Sequence, residues 1–320
     1  MPSLLSVARS QLRGRLQSNR RGGELFYVLM VAPIAVYAIA ISFYPIIYSL
    51  AISFFRYRLT DPSQTRSFIG LDNYVRAIND EGARTAVINT LVFVVGAVAL
   101  EFALGLGLAL LLWRDTRLNK IAAALLLIPI SLTPLVSGLV WRAMLNADFG
   151  SIGWYLANFL GQREGLTAQS TTAMLAVIIV DAWQWTPLVM LVLLAGLKSL
   201  PVEPFEAAQV DGAGRWATVR HLAVPMLAPT IVLALLIRTM DAFKLFDVVF
   251  AMTQGGPGLT TTVLNFDVYK QGLVFFDMGY AAALSNILLV MIGIFAVIYI
   301  GVAGRQRREG LRVAAVRARA

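Results

Sequence analysis

Apolar residues run along this chain in blocks too long and unbroken for the alternation of a strand or the half-apolar stripe of a surface helix. A helix that crosses a hydrocarbon core needs roughly 20 such residues. Six blocks qualify: Phe26–Phe54, Ala86–Trp113, Ile121–Leu145, Thr172–Leu194, Pro225–Phe246 and Tyr280–Ala303. The segments between them are short. Phe68–Ile78 mixes apolar and polar residues at helical spacing, which predicts a short surface helix, and Gln254-Gly-Gly-Pro-Gly258 predicts a chain break. Between the fourth and fifth blocks, Pro204 suits the first turn of a helix, where a missing N–H costs nothing. Glu203 and Glu206 complement the positive end of its dipole. Asp211-Gly212 ends it, glycine taking the left-handed position after the last turn. A second amphipathic stretch, Arg215–Leu222, leads to Pro225 and Pro229, which open the fifth block. The pattern predicts a helix–turn–helix knob presenting Phe205, Ala208 and Trp216, and a structured knob where a loose connector would suffice suggests docking into a partner.

Composition narrows the class. Hydrophobic residues make up 58% of the chain, charged residues 14%, and mean hydropathy is +0.72. Soluble domains carry about 25% charged residues, so a soluble enzyme is excluded and an all-α polytopic membrane protein is expected. The absence of cysteine excludes disulfides and thiolate chemistry, and a single histidine, His221, excludes multi-histidine metal sites. No metal site is expected, and His221 reads as an ordinary interfacial residue. The net charge of +9 does not signal nucleic acid. Well over half of the 27 lysines and arginines fall before Phe26, in Arg114–Lys120, in Lys198–Arg220 and after Gly304. All four segments lie on one side of a six-span topology, so both termini are expected to be cytoplasmic. The division expected is a basic cytoplasmic segment 1–25, a six-helix membrane domain 26–303 and a basic cytoplasmic tail 304–320. The first block, longer than the roughly 7–15 residues of a signal-peptide core, reads as an uncleaved span. None of Lys120, Lys198, Lys244 or Lys270 follows a glycine, so no phosphate-binding loop is present. Any ATP and magnesium must be held by another chain, and no cofactor is expected in this one.

Charge inside a span is costly, roughly 2.5–3.5 kcal/mol at its centre, so each intramembrane polar residue asks for a partner or a role. Asp181, Gln184, Trp185 and Leu188 recur at helical spacing on one face of the fourth block. A carboxylate and an amide beside an indole suit a sugar, whose hydroxyls they bond while the ring packs on its C–H face. Arg238, Asp241, Lys244 and Asp247 recur at every third position with alternating sign. They read either as a self-neutralising ladder or as a charged end of a translocation cavity. Glu101, beside Gly105-Leu-Gly107, reads as structural with a buried partner elsewhere. Ser131, Thr133, Pro134, Ser285 and Asn286 are weaker cavity candidates.

Glu206-Ala-Ala-x-x-Asp211-Gly-Ala213, followed by Pro225-x-x-x-Pro229, resembles the EAA loop of bacterial ABC importer permeases. With Gly255-Gly-Pro257 and Gly70-Leu-Asp-Asn-Tyr74, the chain from Phe26 to Ala303 is similar to the maltose-transporter type of carbohydrate-uptake permease. Val219 departs from the aromatic residue that relatives often carry there. The resemblance implies a type I importer architecture, with a family-type core over about 84–303 and a coupling loop over 197–224. It implies that Glu206, Ala207, Ala208, Asp211, Gly212 and Ala213 meet an ATPase subunit. It also places substrate contacts on the spans flanking that loop, at Asp181, Gln184, Trp185, Leu188, Arg238, Asp241 and Leu245. The implied partners are a second homologous permease, two ATPase subunits, an extracytoplasmic solute-binding protein, a sugar, polyol or sugar derivative, and membrane lipid, in a bacterial cytoplasmic (inner) membrane. The rival expectation is an ion-coupled secondary transporter using Asp181 or Asp241, although the two halves show no repeat of the kind such carriers commonly have. A membrane enzyme lacks a nucleophile–base pair.

Overall fold

The computed structural model describes residues 29–61, 66–159 and 165–317, with side chains described as far as residue 301. The expected basic segment 1–25 therefore lies outside the described residues. The chain divides into two units, residues 1–52 and 53–320, each taken by itself. In the first, helix α1 (Leu29–Ile52) has 24 residues and a mean hydropathy of 2.0, enough to span a bilayer. Tyr44 and Tyr48, one turn apart on it, stack at 6.1 Å.

In the second unit, four helices are long and apolar enough to cross a membrane. Helix α3 (Glu81–Leu112) starts earlier than hydropathy alone indicates because Asp80 caps it, its carboxylate accepting from the N–H of Gly82 at 2.8 Å and Ala83 at 3.4 Å. Helix α7 (Ala173–Lys198) passes through Pro187 without ending. The third crosses as one 28-residue run, Arg215–Ala242. It comprises α9 (Arg215–Thr218), a π-helical turn (Val219–Ala223) and α10 (Val224–Ala242). The stretch expected to lead into the fifth span is thus continuous with it. Helix α13 (Met278–Arg317) supplies the last. The unit also carries a ribbon of β1 (Phe55–Arg56) paired antiparallel with β2 (Ser67–Phe68), and the expected surface helix, α2 (Asp72–Asn79). Asn73 holds α2 to the ribbon by donating to the carbonyls of Ser53 at 2.7 Å and Phe55 at 3.1 Å.

The third apolar block departs from expectation. Helix α4 (Arg117–Leu126), a 3-10 turn at Pro129–Ser131 and α5 (Pro134–Met144) form a broken element bent by 94° in place of one continuous helix over the span expected at Ile121–Leu145. The cause is local. Pro134 lacks an N–H and bars the helical conformation at the residue before it, so Leu132 and Thr133 are extended, each with ψ of 143°.

Small residues set the close approaches. A Cβ at Gly105 would lie 2.8 Å from Val189 and 3.1 Å from the backbone nitrogen of Met190, so α3 and α7 meet only with glycine there. Two apolar clusters result. One gathers Phe93, Val94 and Ala97 of α3, Val177 and Val180 of α7, and Ala242 of α10. The other gathers Ala109, Met190, Leu193 and Leu227 on the same three helices. Between the clusters each helix places one charged residue: Glu101, Asp181 and Arg238, all buried.

Candidate functional site

The polar layer is a closed circuit. The Arg238 guanidinium donates to both carboxylate oxygens of Glu101, to Oε1 at 2.8 Å, and to Asp181. It reaches Asp241, one turn along its own helix, at 3.4 Å. Four of its five N–H groups are engaged. Of the ladder expected along the fifth span only the first pair, Arg238–Asp241, forms, and the buried partners of Arg238 are Glu101 and Asp181. Helix α10 ends at Ala242, so the three-residue spacing stops bringing side chains together beyond Asp241, and Lys244 and Asp247 are exposed. Glu101 has the buried partner expected of it.

Beside this layer a half-open cavity of 160 Å³ lies between α7, the end of α10 and the turn into α11 (Asp247–Met252). Asp181, Trp185, Arg238, Asp241 and Leu245, five of the seven expected contact residues, line it. The Arg238 guanidinium stands 5.5 Å from the centre of the half-buried Trp185 ring. Lys244, Phe246 and Asp247 also line it, as does Pro134 from the broken element. Gln184 and Leu188 do not. Gln184 is buried and donates to the Leu132 carbonyl at 2.8 Å, serving the backbone that the break leaves unpaired. Its amide oxygen has no partner among the described residues. Leu188 lies on the same helical face, but one turn beyond the cavity wall. Asn286 is also displaced from the expected role: it is buried and donates to the Tyr74 hydroxyl at 3.1 Å, tying α13 to α2.

The expected knob forms, built on α8 (Glu203–Val210) with Pro204 in its first turn. It ends in two reversed hydrogen bonds, Ala213 N–H to Ala208 at 2.9 Å and Gly212 N–H to Gln209 at 3.2 Å, with Gly212 at φ +77°. Glu206, Ala207, Asp211, Gly212 and Ala213 are exposed and Ala208 half-buried. Val210 is 88% and Trp216 73% accessible, apolar side chains at the tip. Phe205 differs from the reading that it is presented outward. It is half-buried and meets Trp113 edge-on at 5.2 Å, anchoring the knob to the end of α3. Because α8 follows α7 and precedes α9–α10, the knob joins the two helices that carry the cavity.

The described residues hold no cluster suited to a metal ion. Comparison with known proteins gives the family. Residues 101–310 match the family model described as "Binding-protein-dependent transport system inner membrane component". The trehalose/maltose transport system permease protein MalF of Thermococcus litoralis is 32% identical over 90% of this chain and 96% of its own length. The trehalose transport system permease protein SugA of Mycobacterium tuberculosis is 35% identical over 86% and 88%. In fold, the chain matches a crystal structure of a bacterial ABC transporter involved in the import of the acidic polysaccharide alginate. That match has a TM-score of 0.77, 21% identity, and coverage of 91% of this chain and 99% of that one. The ion-coupled reading gains no support from these relatives.

Proposed function

The chain belongs to the family of binding-protein-dependent transport system inner membrane components, in its sugar-importing ABC branch, and from that premise we propose how it works. It is a multi-pass membrane transport component and not an enzyme. It pairs with a second homologous permease in a bacterial cytoplasmic membrane, receives substrate from an extracytoplasmic binding protein, and docks two ATPase subunits that hold ATP and magnesium. Residues 197–224 form the coupling loop on the cytoplasmic side, and residues 84–303 the family-type core.

The observation that carries this reading is the knob: an exposed tip with a fixed glycine turn, anchored by Phe205 and continuous with the cavity-bearing α7 and α10. ATPase closure moves the tip, and the tip moves the cavity walls. At 160 Å³ the cavity is below the roughly 300 Å³ of a small-molecule site, as expected if the second permease supplies the other half. The substrate is an uncharged sugar. Arg238 is engaged by the buried carboxylates of Glu101 and Asp181, and Asp241 and Asp247 outnumber the remaining cation, Lys244, along the wall. An anionic sugar would meet surplus negative charge, whereas hydroxyls find carboxylate acceptors and the Trp185 ring. The test is substrate-stimulated ATP hydrolysis by the assembled complex carrying Glu206→Ala or Gly212→Trp. Both variants should insert and assemble yet lose the stimulation, and normal stimulation in both removes the coupling assignment.

A further inference from the structure

A second cavity, 280 Å³ in volume, sits at the other end of the bundle, where α3 and α7 end and α4 begins. Three cations line it: Arg114, Lys120 and Lys198. Leu112, Leu127 and Leu194 line it as well, so it is cationic beside an apolar wall. Asp115 reaches Lys120 at 3.2 Å and Lys198 at 3.6 Å, and these ammonium groups hold its carboxyl below the usual carboxylate range. One carboxylate cannot neutralise three cations, and the surplus is positive. Arg114 makes no ion pair among the described residues.

Helix α4 has two different faces at this place. Lys120, Ala123 and Leu127 turn into the cavity, while Leu118, Ile121 and Leu125 form an exposed apolar stripe on the opposite side. Its first turn lies at the end of α7, where Lys120 and Lys198 share Asp115, and the Leu132 carbonyl just past its last turn meets Gln184, 14 residues back along α7, so α4 runs beside α7 with its apolar stripe turned outward. The apolar stripe then faces acyl chains, and the basic cavity opens at headgroup depth.

We propose that this cavity binds the phosphate headgroup of an anionic phospholipid, with an acyl chain against Leu112 and Leu194. Basic pockets between spans on the cytoplasmic side recognise such headgroups by charge. A zwitterionic headgroup would bring an ammonium towards Arg114 and the lysines, which disfavours it. The site is independent of the sugar reading and needs only that the chain be embedded in a bilayer. Lys198, the last residue of α7, leads directly into the knob, so occupancy bears on the segment that links the cavity helices to α8.

The test uses the purified, delipidated assembled complex, titrated with phosphatidylglycerol or phosphatidylcholine of matched chains and read by native mass spectrometry. The intact complex should retain phosphatidylglycerol at least about tenfold better. The Arg114→Gln/Lys120→Gln/Lys198→Gln variant should lose that preference, and Lys120→Gln alone should lower it several-fold if the triple variant does not assemble. Equal retention of the two lipids by the unaltered complex, or an unchanged preference in the variants, overturns the proposal. Release of the lipid by excess inorganic phosphate also overturns it, because it identifies a free-anion pocket.

Discussion

Replacing Arg238 with methionine keeps most of the side-chain volume and removes the cation shared by Glu101 and Asp181. Both carboxylates then remain in an interior bounded by two apolar clusters. Breaking a buried pair costs about 3–5 kcal/mol, and with two acceptors left unpaired the upper end applies, about 5 kcal/mol. Total stabilities are about 5–15 kcal/mol, so the single variant should be scarce in membranes and melt far below the unaltered protein. The triple variant Glu101→Met/Asp181→Leu/Arg238→Met should recover to within about 1–2 kcal/mol, since well-packed apolar residues replace buried ion clusters at little cost. Asp241, with a side chain 43% accessible, is a minor partner, and Asp241→Asn should cost under about 1 kcal/mol. Thermal unfolding of the purified complex and membrane abundance are read separately from uptake. A single variant as stable as the unaltered protein would refute the circuit, and so would a triple variant no better than the single one.

Three further outcomes follow from contacts described above. Trp185→Ala should reduce uptake while the binding protein's own sugar affinity is unchanged, and normal uptake would move the sugar off this ring. Gln184→Leu should destabilise by about 1–3 kcal/mol, measured by thermal melting, because the Leu132 carbonyl loses its buried donor. Phe205→Ala should leave the complex assembled but weaken the link between ATP hydrolysis and transport, seen as a higher ratio of ATP consumed to sugar moved; an unchanged ratio would show the Trp113 contact to be dispensable.

Hydropathy found the long helices and missed what prolines and distant contacts decide. Pro129 and Pro134 bracket the break in the third block, yet a window that averages apolarity over 20 or so residues is blind to the bend between them. The knob was legible because its signals are local: a first-turn proline, acidic residues next to it and a glycine at the stop. The neutralising circuit was not legible. Spacing suggested neighbours on one helix, whereas Arg238 finds Asp181 57 residues away and Glu101 137 residues away, on helices whose rotation only packing fixes. The same limit separates Trp185, on the cavity wall, from Gln184, one residue earlier and turned towards the broken element.

In the proposed function, ATP hydrolysis by partner subunits drives sugar through the cavity between α7 and α10. It is tested most directly in proteoliposomes holding the assembled complex, with the binding protein and radiolabelled sugar on one side and ATP on the other. Uptake should need both ATP and the binding protein, be indifferent to an imposed proton or sodium gradient, and disappear in the Gly212→Trp complex. Uptake driven by an ion gradient through this chain alone, with no ATPase present, would contradict it.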